Sequence, residues 1–200
     1  MHATSHRGRL VVVEGIDGAG KSSLIRHLAG FCERRGRKAV CSREPTAGPW
    51  GRKIRATATS GRLPLEEELA LFIEDRREHV AQTIAPALAR GEFVLLDRYY
   101  FSNAAYQGAR GADPNAVVAG NREFAPAPDL VLLLDLDPGT GRGRITGRGD
   151  VPDAFEDLQN LARVRQILLS LRDPTFLVLD ATLPAGRVAA LAEKALETLL

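Results

Sequence analysis

The stretch Val11–Ser22, Val-Val-Val-Glu-Gly-Ile-Asp-Gly-Ala-Gly-Lys-Ser, constrains the fold more than any other part of the chain. Gly15, Gly20, Lys21 and Ser22 fill the pattern G-x-x-x-x-G-K-[ST]. The apolar run Leu10–Val13 precedes it, and Leu24, Ile25, Leu28 and Phe31 follow at helical spacing. A phosphate chain needs several N–H donors converging on it, and side chains at those positions block the approach. Glycines at 15, 18 and 20 let the backbone wrap a β-phosphate, and the next helix points its positive end at the same place. Lys21 then neutralises β/γ oxygens and the Ser22 hydroxyl holds Mg²⁺, so the stretch reads as a nucleoside triphosphate site.

A chain of 200 residues is expected to form one domain with a sizeable core. A formal charge of +2 implies no polyanion, so nucleic acid is not an expected partner. Cys32 and Cys41 form no C-x-x-C, and the four histidines (His2, His6, His27, His79) make no zinc pattern, with His79 read as a helix-surface residue. No apolar run approaches membrane-spanning length, and Met1–Arg9 reads as a disordered polar tail, not a signal peptide. The expectation is a soluble cytoplasmic protein with a single domain over residues 10–200.

Strands are expected at Leu10–Val13, Lys38–Ser42, Phe93–Leu96, Leu130–Leu134 and Phe176–Leu179. Phe93–Leu96 and Leu130–Leu134 are apolar without alternation, as strands covered on both faces are. Helices are expected over Lys21–Arg35, Trp50–Ser60, Leu65–Arg90 (interrupted by Pro86), Pro114–Phe124, Phe155–Leu171 and Pro184–Leu200. A further helix, capped by Ser102, is expected to run through Tyr106. Strands alternating with helices make a doubly wound α/β fold, a parallel five-stranded sheet flanked by helices, of the P-loop NTPase type.

Such a sheet binds ligands beyond the carboxyl ends of its strands, which here carry Glu14-Gly15, Arg43-Glu44-Pro45, Asp97-Arg98-Tyr99 and Asp135. Asp135 alone reads as a structural cap or surface ion pair as readily as a site residue. On the long helix, Phe72 and Arg76 share a face, a pairing that can stack on a flat base and hydrogen-bond its edge. Asn103 and Tyr106 share a face after Asp97, with Gln107 beside them. The segment Pro138–Asp153 carries Gly139, Gly141, Gly143, Gly147 and Gly149 together with Arg142, Arg144 and Arg148. Each glycine raises the cost of helix by about 1 kcal/mol relative to alanine, so a mobile, poorly helical arginine lid is expected over about residues 139–153. A triphosphate and a monophosphate together bring roughly five to six negative charges, more than Mg²⁺ and Lys21 neutralise; Arg43, Arg98 and the lid arginines can supply the rest.

Taken together these residues resemble the thymidylate kinases. The resemblance runs from about residue 9 to the C-terminus. It is carried by Glu14–Ser22, Arg43-Glu44-Pro45, Phe72 with Asp75-Arg76, Asp97-Arg98-Tyr99, Ser102–Gln107, Pro128-Asp129-Leu130 with Leu134-Asp135, and Asp153-Ala154-Phe155-Glu156. It implies Mg²⁺-dependent transfer of a phosphoryl group from ATP to dTMP. The donor would lie on Gly15, Ile16, Asp17, Gly18, Ala19, Gly20, Lys21, Ser22, Ser23 and Arg142. The resemblance implies that Phe72 stacks on thymine, Arg76 reads its O4 edge, Asn103 sits beside the base and Tyr106 crowds the 2′ position. Glu44, Gln107 and a cis Pro45 shape the same pocket, and Arg98 takes the acceptor phosphate. Asp17 is implied near the 3′-hydroxyl or the metal, and Asp97 with Ser22 in the Mg²⁺ shell. The family's catalytic arginine sits in the P-loop or the lid. Asp17-Gly18-Ala19 offers none, which leaves Arg142, Arg144 and Arg148, with Arg144 and Arg148 joining Lys21, Asp17 and Arg98 as catalytic candidates.

The resemblance also implies a homodimer. Two departures stand out: Ala154 where the family usually has arginine, and Thr46-Ala47-Gly48 where most members have Gly-Gly-Thr. Rival readings are a kinase for another pyrimidine nucleotide or nucleoside, a degenerate nucleotide-binding subunit, and a GTPase-like switch. The last lacks its Asn/Thr-Lys-x-Asp motif.

Overall fold

The computed structural model describes residues 7–147 and 157–200, with the side chains of 58–60 left aside. The elements run β1 (Arg9–Glu14), α1 (Lys21–Arg34), β2 (Ala39–Arg43), α2 (Pro49–Ser60) and α3 (Leu65–His79). A wide turn (Val80–Ile84) leads into α4 (Ala85–Ala89), β3 (Phe93–Asp97), α5 (Tyr100–Gly108) and α6 (Pro114–Arg122). Then come β4 (Leu130–Asp135), α7 (Pro138–Thr146), α8 (Leu158–Ser170), β5 (Phe176–Asp180) and α9 (Ala185–Glu197). The five strands form one parallel sheet in the order β2-β3-β1-β4-β5. From β1 the chain goes to the sheet edge as β2, returns as β3 between the two, then crosses β1 to place β4 and β5 on the other side. This reversal opens a crevice at the carboxyl edge of β1.

Burial explains the apolar runs. Every residue of β3 and nearly every residue of β1 is buried, because helices cover both faces of the sheet. Tyr99, Tyr100 and Phe101 extend that core, with Phe101 edge-on to Phe176 at 4.8 Å. No helix of the described residues is long and apolar enough to cross a membrane.

Several expectations need correction. The long helix changes to i→i+5 pairing across Val80–Ile84, just ahead of Pro86, whose missing N–H and ring do not fit the ordinary ladder. Arg9 opens β1 and pairs with Asp129 at 2.9 Å, so it is not tail. Ser102 does not cap α5, which begins two residues earlier. Instead Glu14 accepts from the backbone N–H of Tyr99 (2.9 Å) and Ser102 (3.1 Å) and from the Ser102 hydroxyl (2.5 Å). Burial raises the Glu14 pKa against the opposing pull of these donors.

Residues 138–146 of the glycine-rich segment are helix, not an irregular loop. Asp137 caps the helix through Thr140 N–H at 3.2 Å, and Pro138 occupies its first turn. At least one glycine there serves packing and not mobility: a Cβ on Gly141 would meet the Asp17 carbonyl at 2.6 Å. For Asp135 the ion-pair reading holds: it takes two bonds from Arg165, at 2.6 and 2.9 Å. Arg148 and Asp153–Glu156 lie outside the described residues.

Candidate active site

The phosphate loop hangs from the buried end of β1. Gly15, Gly18 and Gly20 have φ of 142°, 80° and 98°, values that side-chain-bearing residues rarely adopt. Gly20 is the N-cap of α1 and offers no side chain, so the first N–H groups of that helix face an anion unobstructed. Lys21 is buried and folds back to donate to the Ile16 carbonyl at 2.9 Å, with Asp17 at 3.8 Å. Burial and the nearby Arg98 lower its pKa, so its charge is costly until an anion arrives.

Ser22 Oγ donates to Asp97 Oδ2 at 2.5 Å, joining the start of α1 to the end of β3. A hydroxyl and a carboxylate are hard oxygen donors. A site with so few protein oxygens fits Mg²⁺, which fills the rest of its octahedron with water and phosphate.

Beside the loop lies a cavity whose lining includes Asp17, Glu44, Pro45, Phe72, Arg76, Arg98, Asn103, Tyr106 and Gln107. The Glu44–Pro45 peptide is cis. Arg98 ties the cavity to the phosphate loop. Its φ of 70° is left-handed, a strained state for arginine, and neighbours hold it there. Its N–H bonds Val13 O at 3.0 Å, and its guanidinium donates to Asp17 (2.7 Å), Ser102 (2.9 Å) and Tyr106 (3.2 Å). Although burial opposes ionisation of Asp17, Arg98 and Lys21 outweigh it and hold the carboxyl well below the usual range. Burial pushes the Tyr106 hydroxyl up, so it stays protonated and donates to Asp17 at 3.0 Å.

Arg76 is fully buried. Nε donates to Glu44 at 2.8 Å and Nη2 lies 2.7 Å from the same oxygen. Nη1 donates to Asn121 (2.5 Å) and Asn103 (3.4 Å). Of five N–H bonds, this leaves one on Nη2 to address a ligand. Phe72, half-buried, stands one turn away on the same helix.

His79 is a correction. It is buried beneath the cavity, with Nδ1 3.0 Å from Glu44 and Nε2 2.7 Å from Ser42. Its spacing from Arg76 puts it on the same helix face, the signal that was available. Asn121, from α6, and Arg55, from α2, carried no such signal. Arg55 lines the cavity and donates to the Pro45 carbonyl at 2.9 Å. The variant Thr46 is tied by its N–H (2.9 Å) and hydroxyl (2.6 Å) to Asp75.

On the loop's other side is a second cavity, lined by Ala19, Gly20, Ser23, His27, Arg144 and Ala181 among others. Arg144 donates to the carbonyls of Gly18 (3.4 Å) and Ala181 (3.0 Å). Arg142 is exposed on the same helix, apart from that arrangement. The close approach of Gly141 to Asp17 and of Gly18 to Gly141 fixes α7 directly on the loop.

A glycine loop between a buried parallel strand and a helix, with basic cavities on either side, defines the chain's class as a P-loop nucleotide kinase. The thymidylate kinase family model matches residues 13–191. The chain is 53% identical to the thymidylate kinase of Akkermansia muciniphila over 190 residues, 95% of this chain and 92% of that one. It is also 53% identical to that of Xanthomonas campestris pv. campestris strain B100 over 181 residues, 90% of this chain and 79% of the relative. The chain belongs to the thymidylate kinase family.

Proposed function

We propose that the chain transfers the γ-phosphoryl group of ATP to dTMP, giving dTDP and ADP. The observation that carries the reading is Asp17, which belongs to the phosphate loop, lines the second nucleotide's cavity and is paired to Arg98 at 2.7 Å. Donor and acceptor machinery therefore share a wall, as in-line transfer between two bound nucleotides requires.

In this reading the backbone of Gly15, Ile16, Asp17, Gly18, Ala19 and Gly20 cradles the donor phosphates, with Ser23 and Arg142 at the rim. Lys21 swings from the Ile16 carbonyl to the β/γ oxygens. Ser22 and Asp97 hold Mg²⁺, which when bound neutralises charge on the phosphates. Phe72 stacks on the pyrimidine, and the remaining Nη2–H of Arg76 donates to O4. Asn103, Gln107, Glu44 and Pro45 frame the base. Tyr106 fills the space beside C2′, and Arg98 takes the acceptor phosphate. Arg144 and Arg148, from a lid over about residues 139–153, supply the remaining positive charge as the phosphoryl group moves.

The reading further includes a single domain over residues 10–200, a homodimer, a cytoplasmic location and no nucleic-acid partner. Other acceptors and a degenerate subunit are less favoured, because the family match spans most of the chain and Lys21, Ser22 and Asp97 are all in place. A coupled ADP-release assay with dTMP, dUMP, UMP, dCMP and thymidine tests the proposal. The expected result is Mg²⁺-dependent turnover with dTMP at the highest kcat/KM. Absence of turnover with every monophosphate would refute it.

A further inference from the structure

Beneath the acceptor cavity, and beyond any residue with a role above, lies a buried carboxylate. Glu68 of α3 has no exposed surface. Its Oε1 accepts from Arg62 (2.5 Å) and from Gln107 Nε2 (2.7 Å), and its Oε2 accepts from Arg110. Gln107 Oε1 in turn accepts from Asn103 Nδ2 at 2.7 Å, and Asn103 Oδ1 accepts from Arg76 Nη1 at 3.4 Å. The chain of bonds thus runs Arg76→Asn103→Gln107→Glu68.

Its ends cannot be reversed. A guanidinium only donates, and an ionised carboxylate only accepts. The two carboxamides between them could each point either way in isolation, yet only one direction satisfies both ends. Gln107 and Asn103 are buried to 0% and 2% exposure, so water cannot repair a flipped amide.

We infer that Glu68 is a positioning residue that sets which pyrimidine edge the cavity accepts. With the chain oriented this way, a donor (Arg76) stands next to an acceptor (Asn103 Oδ1). Thymine and uracil present the complement, an O4 acceptor beside an N3–H donor. Cytosine presents the inverse, an N4 donor beside an N3 acceptor. A flipped Asn103 would turn its NH₂ toward Arg76 and toward the base, which removes the acceptor for thymine N3–H and offers a donor to cytosine N3 instead.

The inference rests on the dTMP reading of the cavity, and one experiment separates the two. Steady-state kcat and KM are measured for dTMP, dUMP and dCMP on the wild type, Glu68→Gln, Gln107→Met and Arg62→Gln. Wild-type turnover of dTMP tests the reading itself. Glu68→Gln replaces the acceptor-only terminus with a group of either polarity. The expected result is a KM for dTMP and dUMP raised together by about tenfold, with kcat changed less than about threefold. The preference for dTMP over dCMP should fall by about tenfold, and that for dTMP over dUMP should stay constant. Gln107→Met breaks the chain while leaving Glu68 with its arginines, and should give the same loss of dTMP/dCMP preference if Glu68→Gln does not fold. Arg62→Gln removes one ion pair while Glu68 stays a carboxylate acceptor for Gln107, so it should lower Tm and leave the preference intact. An unchanged dTMP/dCMP ratio in Glu68→Gln, or in Gln107→Met where only that variant folds, would overturn the inference. An equal fall in Arg62→Gln would overturn it too, because helix packing would then account for the effect.

Discussion

Replacing Gly141 by alanine should disable the enzyme without touching a charged group. The new Cβ would lie 2.6 Å from the Asp17 carbonyl and 3.4 Å from Ile16 Cδ1. Real Cβ atoms essentially never come within 3.0 Å of a neighbour, so α7 and the loop must part by at least 0.4 Å. The contact under 3.0 Å is to a backbone carbonyl, which cannot swing aside as a side chain can. Overpacking of this kind costs about 1–3 kcal/mol, or roughly 2–12 °C in Tm for a chain of this length. The displacement falls on the Asp17 peptide and on Arg144, whose bonds to Gly18 and Ala181 are 3.4 and 3.0 Å. Misplacing reacting groups by about 1 Å can cost about 100-fold, so a fall in kcat of about 10- to 100-fold is expected. Gly143 is the control: it is on the same helix with nothing within 4 Å of its Cβ position. Gly143→Ala should stabilise by about 0.5–1 kcal/mol and leave kcat within about twofold. Coupled-assay kinetics and a thermal melt on both variants decide the matter. A Gly141→Ala enzyme with wild-type kcat would refute the packing argument, and so would equal losses in both variants, which would mean that glycines there serve flexibility.

Three further outcomes follow from the same geometry. Phe72→Ala should raise KM for dTMP by about 5- to 150-fold, because stacking on an aromatic ring contributes about 1–3 kcal/mol per base; an unchanged KM removes the ring from the site. Arg98 and Lys21 depress the Asp17 pKa, so the stabilisation it supplies is fully present above its unfolded pKa of about 4 and is lost as pH falls below that value. Asp17→Asn should therefore be less stable at pH 7 and flatten the acid limb of a Tm-versus-pH curve, and parallel curves would contradict the pairing. Burial raises the Cys32 thiol to about 11 while Cys41 is exposed, so a thiol reagent at pH 8 should titrate one cysteine in the native protein and both in denaturant.

The sheet was legible in the sequence because its central strands are apolar on both faces and helices fill the intervals. Co-location of Phe72 with Arg76, and of Asn103 with Tyr106, was legible because helical spacing fixes which residues share a face. What stayed hidden was long-range. Nothing local in Glu14 reveals that it takes over the N-terminus of α5, nor in Asn121 that it crosses from α6 to Arg76. His79 sits on the Arg76 face, yet its polarity argued for the surface; only the buried Glu44 and Ser42 make its burial tolerable. The glycines of α7 misled because propensity counts the entropy cost of a glycine and cannot see the carbonyl that demands one.

The central claim is that the cavity beside the phosphate loop holds a pyrimidine nucleotide whose phosphate reaches that loop. A crystal structure of the protein with dTMP and ADP tests it most directly. The account predicts the thymine ring against Phe72, O4 within hydrogen-bonding distance of Arg76 Nη2, and the dTMP phosphate on Arg98. A thymine ring bound elsewhere, with the Phe72–Arg76 cavity vacant, would contradict it.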